Sequence, residues 1–513
     1  MNWTRRDFLT TSALAAAALP LVGCASSKKE VEMAPQEVRP VSVCNDYFCK
    51  NFGVTQAMID QVLAKAMSRG GTFADLFFEH SSFGMVQLLD GKVTSANASV
   101  SLGMGARCVQ DDQVGYAFTE SLTLEDMLRA AEVAAAIAPG TNAGNVSERK
   151  SAEFKKWYDT AYDWDSLDVA RAVSLIQGIN AKVRQKDESI IQVVVGIRWN
   201  QRTVMINTSD GINATDSQPY YVLSLNVVMR RGEEQQSNGA SQAGLGRFED
   251  LTEEKVNNLI DEAIADTQIL FESVKPKGGE WPVVLGAGAS GILLHEAIGH
   301  GLEADFNRKE SSIFATKMNQ RVAADEVTIG DSGFIQGSRG ALNVDDEGTP
   351  AQDTILVENG ILKSYMYDKI SARHYGVAPT GSGRRESYKF APMPRMRVTY
   401  MANGTHEFDE LIKDVKYGIY CRKFLNGQVL IGPGDYTFYV KNGYLIEDGK
   451  LTAPIKDVNI IGNGPDSLSK ITMVANDQKF DKGGWTCGKD GQSAPVSLGM
   501  PSVLVSSITV GGI

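Results

Sequence analysis

Val283-Val284-Leu285-Gly286-Ala287-Gly288-Ala289-Ser290-Gly291-Ile292-Leu293-Leu294 runs directly into His295-Glu296-Ala297-Ile298-Gly299-His300. The apolar lead-in delivers two imidazoles and a carboxylate within one short segment. Two neutral imidazoles can hold zinc, and a carboxylate beside them can take a proton from water that the metal activates. Only five histidines occur in the whole chain, His80, His295, His300, His374 and His406, so two of them this close together form a signal. The usual zinc-protease helix spaces its histidines at i and i+4, whereas these stand at i and i+5. Five steps at 3.6 residues per turn rotate a side chain by about 500°, leaving the two rings about 140° apart on a regular helix. A regular helix would fail to bring them together. Gly299 and Gly301 flank His300, so a π-bulge or a helix end is predicted here to swing His300 back toward His295. The bland alternative is one core histidine and one at a helix C-terminus.

At 513 residues the chain exceeds one ordinary core, and at about 150 residues per domain at least two are expected. A 43% hydrophobic and 22% charged composition is that of a globular protein with ample core. The net charge of −11, with no Lys/Arg stripe interleaved with aromatics, argues against nucleic-acid binding.

The first 24 residues differ from the rest. Thr4-Arg5-Arg6-Asp7-Phe8-Leu9 precedes an apolar run from Ala13 to Val22, and the paired arginines resemble a twin-arginine export signal. The run is too short to span a bilayer core of about 30 Å. Leu21-Val22-Gly23-Cys24 resembles a bacterial lipobox, which would leave Cys24 as the lipidated first residue and sole membrane anchor of an envelope protein. The alternatives are a soluble secretory signal or an uncleaved arm. Twin-arginine export carries folded proteins, which suits an enzyme loaded with metal in the cytoplasm. Residues 25–49, polar and bearing Pro35 and Pro40, read as a linker. Beyond Cys24 the cysteines are Cys44, Cys49, Cys108, Cys421 and Cys487, an odd number that gives no disulfide framework. Cys44 and Cys49 are close enough in sequence for a bridge, which nothing requires.

The fold class expected is α+β, with a mixed α/β domain over residues 50–275 and a β-rich, mostly antiparallel domain over 276–513. In the first, helices are predicted from Thr55 to Met67, Leu124 to Ala138, Ser166 to Gln185 and Glu253 to Phe271. Thr55 and Thr123 are placed to cap two of them. Strands are predicted at Ala74 to His80, Met85 to Val93, Ile190 to Trp199, Val204 to Asn207 and Tyr221 to Arg230, with Asp90-Gly91 as a hairpin turn. Pro276-Lys277-Gly278-Gly279 marks the boundary. Beyond it, Asn359-Gly360 and Asp448-Gly449 between short apolar runs signal hairpins. The loops Thr380-Gly381-Ser382-Gly383 and Gly432-Pro433-Gly434 would let backbone approach a ligand.

A catalytic zinc site takes three protein ligands and keeps a position open. Cys487, in Trp485-Thr486-Cys487-Gly488-Lys489-Asp490-Gly491-Gln492, is the first choice for the third, since Lys489 nearby favours a thiolate. Glu303 and Asp305 are local alternatives, and His374 is a remote one. Cys487 could equally be a small buried hydrophobe.

The stretch from His295 to Arg308, with Asp345-Asp346-Glu347-Gly348-Thr349-Pro350, Gly383-Arg384-Arg385-Glu386-Ser387-Tyr388, Pro392-Met393-Pro394-Arg395 and the run from Cys487 to Gln492, closely resembles the TldD branch of the TldD/PmbA metalloprotease family. The similarity runs from about residue 50 to the C-terminus. It implies one Zn2+ per chain held by His295, His300 and Cys487, with Glu296 catalytic, and short or unfolded peptides as substrates. It also implies a paralogous, metal-free partner subunit enclosing the active site, with self-association as the other possibility. The export signal departs from the family, whose members are typically cytoplasmic. Two rivals stand beside the peptidase: a peptide-binding or assembly subunit with structural zinc, and a metal amidohydrolase acting on cell-wall peptides. Arg384 and Arg385 either clamp a substrate carboxylate or partner, or pair structurally with Asp345, Asp346 and Glu347.

Overall fold

The strand Phe73–Leu89 is buried on both faces along its first seven residues, so it is continuously apolar or ion-paired there instead of alternating. Ala74, Leu76, Phe78, Val86 and Leu88 face helices. On the opposite face, Phe77 packs with Val344 and Tyr388 of the second half of the chain. The computed structural model to which this strand belongs describes residues 47–430 and 433–512. The export signal, Cys24, Cys44, most of the expected linker and Gly432 lie outside the described residues. A helix, Tyr47–Phe52, takes in the last three residues of that linker. Its Cys49 is disulfide-bonded. No described helix is long and apolar enough to cross a membrane.

The fold is α+β. In the first half a seven-stranded sheet runs in the order Gln113–Thr119, Lys92–Gln110, Phe73–Leu89, Ile190–Thr208 and Ile212–Arg231, with Glu234–Leu245 and the short Lys150–Ser151 both pairing with the last of these. All pairings are antiparallel except the two-residue Lys150–Ser151. Two of the expected strands, Ala74 to His80 and Met85 to Val93, are one strand up to Leu89, and the turn at Asp90-Gly91 then reverses the chain into Lys92–Gln110. Helices Gln56–Ala66 and Leu124–Ala135 cover one end of this sheet, and Val169–Lys186 and Glu253–Gln268 the other. The Thr55 and Thr123 side chains cap the first two by accepting from the amides of Met58 and Asp126.

The second half is β-rich. Strands Gly279–Leu285, Tyr417–Leu430, Asp435–Glu447, Val458–Asn463 and Val503–Gly512 close into a small mixed barrel, because Tyr417–Leu430 pairs with both Gly279–Leu285 and Asp435–Glu447. Closure leaves no edge on that circuit. Beside the barrel lies a six-stranded sheet in which Val398–Met401 runs parallel to Ser497–Met500. The hairpin turns at Asn359-Gly360 and Asp448-Gly449 form as predicted. The loop at Thr380 to Gly383 packs on Pro350 and Glu347.

Buried ion pairs join the two halves. Arg107 bridges Asp75 at 2.5 Å and Glu347 at 2.6 Å, Arg202 reaches Asp346 at 3.1 Å, and Arg385 reaches Asp75 at 3.2 Å. Arg384 donates to the carbonyls of Met396 and Pro495. Both arginines are therefore buried structural ties, but not through the expected pairing with Asp345, Asp346 and Glu347: Arg384 holds carbonyls and Arg385 pairs with Asp75.

Candidate metal centre

The apolar lead-in does two jobs. Gly279–Leu285 is a barrel strand, and after a short loop Gly291–Leu294 starts a helix wedged between the barrel and the mixed sheet, with Ile292, Leu293 and Leu294 buried. From His295 to Gly299 the helix widens, and the His300 amide donates to the His295 carbonyl five residues back. That wide turn is the predicted distortion. A tight turn over His300–Leu302 follows. The added residue per turn brings the two rings to a centroid separation of 5.0 Å, nearly perpendicular at 81°.

Glycines let the surroundings close on this turn. A Cβ on Gly299 would overlap Met396 Sδ, and one on Gly464 would overlap the Ala297 carbonyl group. The short helix Gly464–Ser469 thus sits directly against the backbone of the widened turn.

Cys487 arrives from 187 residues away in sequence, and its Sγ lies 3.4 Å from His300 Nε2. It rides on Thr486–Lys489, which pairs with Gln492–Pro495 across an Asp490-Gly491 turn with both residues at positive φ. Period-2 alternation puts Cys487 and Lys489 on the same buried face. Arg395, fully buried, donates to the carbonyls of Cys487 at 2.7 Å and Gln492 at 3.3 Å, fixing the hairpin.

The donor atoms of His295, His300 and Cys487 all lie within 4.8 Å of one another, and all three residues are buried. Glu296 Oε2 is 3.9 Å from His300 Nε2. The alternatives for the third ligand stand elsewhere. Glu303 Oε2 is 3.0 Å from His300 Nδ1, on the far side of the ring from Cys487, and 3.2 Å from Lys489 Nζ. Asp305 is held by Lys489 at 2.7 Å. His374 is half-exposed beside Asp112.

The electrostatics are those of an ionised cluster. Burial pushes the Cys487 thiol up, but the two imidazoles outweigh it and bring it down to about 4. Burial pulls His300 down, and Glu303 and Cys487 outweigh it so that the ring holds its proton well above the ordinary range. Glu303 is fully buried, yet Lys489, His300 and Arg395 hold its carboxyl at about 2. Burial raises Glu296, and both imidazoles only partly oppose this.

The sequence singles out the three residues that form the candidate metal site, but not the clamp behind them. Glu303 was weighed as a ligand and Lys489 as a neighbour of the thiol, whereas they pair with each other. The Asp490-Gly491 turn was the available signal, since a hairpin there places Cys487 and Lys489 on one face.

Three family models match along the chain: PmbA/TldA metallopeptidase domain 1 at residues 74–138, the central domain at 162–270, and the C-terminal domain at 278–512. A metalloprotease TldD homolog from Buchnera aphidicola is 36% identical over 457 residues, covering 88% of this chain and 95% of that protein. A zinc metalloprotease TldD homolog from Saccharolobus solfataricus is 34% identical over 238 residues, 46% of this chain and 53% of that one. The crystal structure of TldE from Thermococcus kodakarensis has the same fold, with a TM-score of 0.70 at 19% identity, covering 89% of this chain and all of that chain. With a 36% identical relative matched along 95% of its length and three successive domain models matching in order, the chain belongs to the PmbA/TldD metallopeptidase family.

Proposed function

We propose that this chain is a zinc-dependent metallopeptidase that hydrolyses short or unfolded peptides, with His295, His300 and Cys487 as metal ligands and Glu296 as general base. The observation that carries this reading is the convergence of two nitrogens and a sulfur from distant segments within 4.8 Å. Zinc bonds of about 2.1 Å to nitrogen and 2.3 Å to sulfur, at a tetrahedral angle, put the two donors about 3.6 Å apart. Cys487 Sγ and His300 Nε2, at 3.4 Å, fit that separation. Among the described residues the mutually adjacent donors number three, as in catalytic zinc sites, where structural sites use four. This favours the peptidase over a subunit with structural zinc.

When bound, zinc would supply Lewis acidity to a peptide carbonyl and to water. The protein supplies the rest. Glu303 accepts from His300 Nδ1 and so fixes the tautomer that presents Nε2 to the site. The hairpin positions Cys487, and the two imidazoles favour its thiolate. Glu296, with a carboxyl raised by burial, accepts the proton from the attacking water and returns it to the leaving amine. The ligands are buried while the Glu296 side chain keeps 17% exposure, so substrate reaches the site from the Glu296 side.

Export by the twin-arginine pathway and a lipid on Cys24 would place the enzyme in the cell envelope, and a second family subunit would cover the site. The test of the central reading is Glu296→Gln assayed on an unstructured peptide with zinc content measured in the same sample. Loss of hydrolysis with zinc retained supports it, and unchanged turnover overturns it.

A further inference from the structure

Three guanidinium groups gather beside the hairpin that carries Cys487, and among the described residues no carboxylate forms an ion pair with any of them. Arg339 donates through Nη1 to the Trp485 carbonyl and, at 3.1 Å, to Thr486 Oγ1, while its Nε is buried without a partner. Arg198, exposed on strand Ile190–Thr208, reaches the same segment: a Cβ on Gly484 would lie 3.5 Å from its Nη2. Arg384 is the third, 3% exposed, with its donors on the carbonyls of Met396 and Pro495.

Like charges gathered in a protein with 62 acidic and 51 basic residues call for an anion. A charge taken out of water is costly unless it is paired. Burial, with repulsion from Arg198 and Arg384, outweighs the pull of Tyr220 and brings the Arg339 guanidinium down to about 10. The acids close by are engaged elsewhere. Asp481 accepts from the Trp485 indole at 2.7 Å and the Gly483 amide at 2.6 Å, and Asp346, which attracts Arg384 from longer range, is bonded to Arg202 at 3.1 Å. The hairpin is open on this side. Thr486 and Gly488 lie on the exposed face of their strand, and a Cβ on Gly488 would meet no atom within 4 Å.

We propose that Arg339 and Arg198 form a subsite that binds a carboxylate of the peptide substrate, next to the strand that supplies the ligand Cys487. Arg339 keeps Nη2 for that anion, and the Arg198 guanidinium closes on it from solvent. Guanidinium suits this task because its planar donors match the two oxygens of a carboxylate. One peptide unit separates Thr486 from Cys487, so the carboxylate would sit within about four extended residues of the scissile bond. A C-terminus and an acidic side chain present the same group. The identity of the ligand as a peptide rests on the peptidase reading, whereas the demand for an anion does not.

The test is calorimetric binding to the zinc-loaded full chain carrying Glu296→Gln, so that turnover plays no part. Three unstructured heptapeptides without other acids are compared, ending in a free carboxylate, an amide, or an aspartyl amide. The free acid should bind about 10–100-fold more tightly than the amide. Tight binding of the aspartyl amide as well would extend the subsite to acidic side chains, and weak binding of it would restrict the subsite to the C-terminus. Arg339→Met and Arg198→Ala should each erase most of the preference and leave the affinity for the amide unchanged. Arg198 is exposed and makes no ion pair, so its variant carries the test even where Arg339→Met fails to fold. Equal affinity for all three peptides would overturn the proposal, as would variants that weaken all three alike, the mark of a merely structural arginine. A wild type that hydrolyses nothing yet keeps the preference would reject the peptidase reading and leave the subsite standing; hydrolysis with equal affinities would do the reverse.

Discussion

Glu303→Gln separates an organised centre from a fortuitous cluster. Glu303 is 0% exposed, receives His300 Nδ1 at 3.0 Å and lies 3.2 Å from Lys489 Nζ and 4.0 Å from Arg395 Nε. These cations hold its carboxyl at about 2 against an ordinary 4.5. At 1.36 kcal/mol per tenfold in acidity, that depression means that the folded state favours the anion by about 3 kcal/mol. Glutamine keeps the shape but removes the charge, leaving Lys489 with Asp305 and the Pro394 carbonyl. Breaking a buried pair costs about 3–5 kcal/mol. Because Lys489 keeps a partner, the expected loss is at the lower end, about 3 kcal/mol. The carboxyl is depressed in the folded state, so its contribution is fully present above pH 4.5 and is lost as pH falls toward 2. Denaturant titration should therefore show wild type and variant about 3 kcal/mol apart at neutral pH and converging in acid. Zinc affinity should fall about 10–100-fold as His300 loses its orienting partner. A stability gap that is the same in acid as at neutral pH, or an unchanged zinc affinity, would refute the reasoning.

Three further outcomes are expected. Glu296→Gln should lower kcat by about 100-fold or more while zinc content and KM hold, and a change confined to KM would count against the general-base role. Gly464→Ala would bring a Cβ within 2.8 Å of the Ala297 carbonyl carbon and 2.9 Å of its Cα, with no flexible side chain to yield. Thermal unfolding should register a loss of about 1–3 kcal/mol, and zinc affinity should fall with it; wild-type values for both would show that the widened turn does not need that contact. Arg107→Met leaves Asp75 and Glu347 buried without their shared cation, and denaturation should report a loss of about 3–5 kcal/mol, with less than about 1 kcal/mol marking the bridge as dispensable.

The widened turn was legible because five steps between histidines cannot be met on a regular helix and a glycine stood beside the second one. Caps and hairpin turns were legible for a similar reason, since Thr55, Thr123, Asp90-Gly91 and Asp448-Gly449 act locally. Strand Lys92–Gln110 was not seen, because its small polar residues carry no alternation when both faces at its tip meet solvent. Glu234–Leu245 was missed for the same want of apolar periodicity. The break expected between His80 and Met85 does not exist, since Ser81, Ser82 and Gly84 are paired on both sides and Gly84 makes room for the Trp199 ring. Cys487 is the first choice for a third ligand from its flanking residues and is singled out by the family resemblance, but no local pattern links residues so distant in the chain. The Glu303–Lys489 clamp depends wholly on that same tertiary contact.

Spectroscopy of the cobalt-loaded protein tests the metal centre most directly, because a thiolate ligand gives a sulfur-to-cobalt charge-transfer band that nitrogen and oxygen ligands do not. The account expects one cobalt per chain, the band present in the wild type, and the band lost in Cys487→Ser with the fold intact. A band that survives in Cys487→Ser, or a wild type that takes up cobalt without any such band, would contradict it.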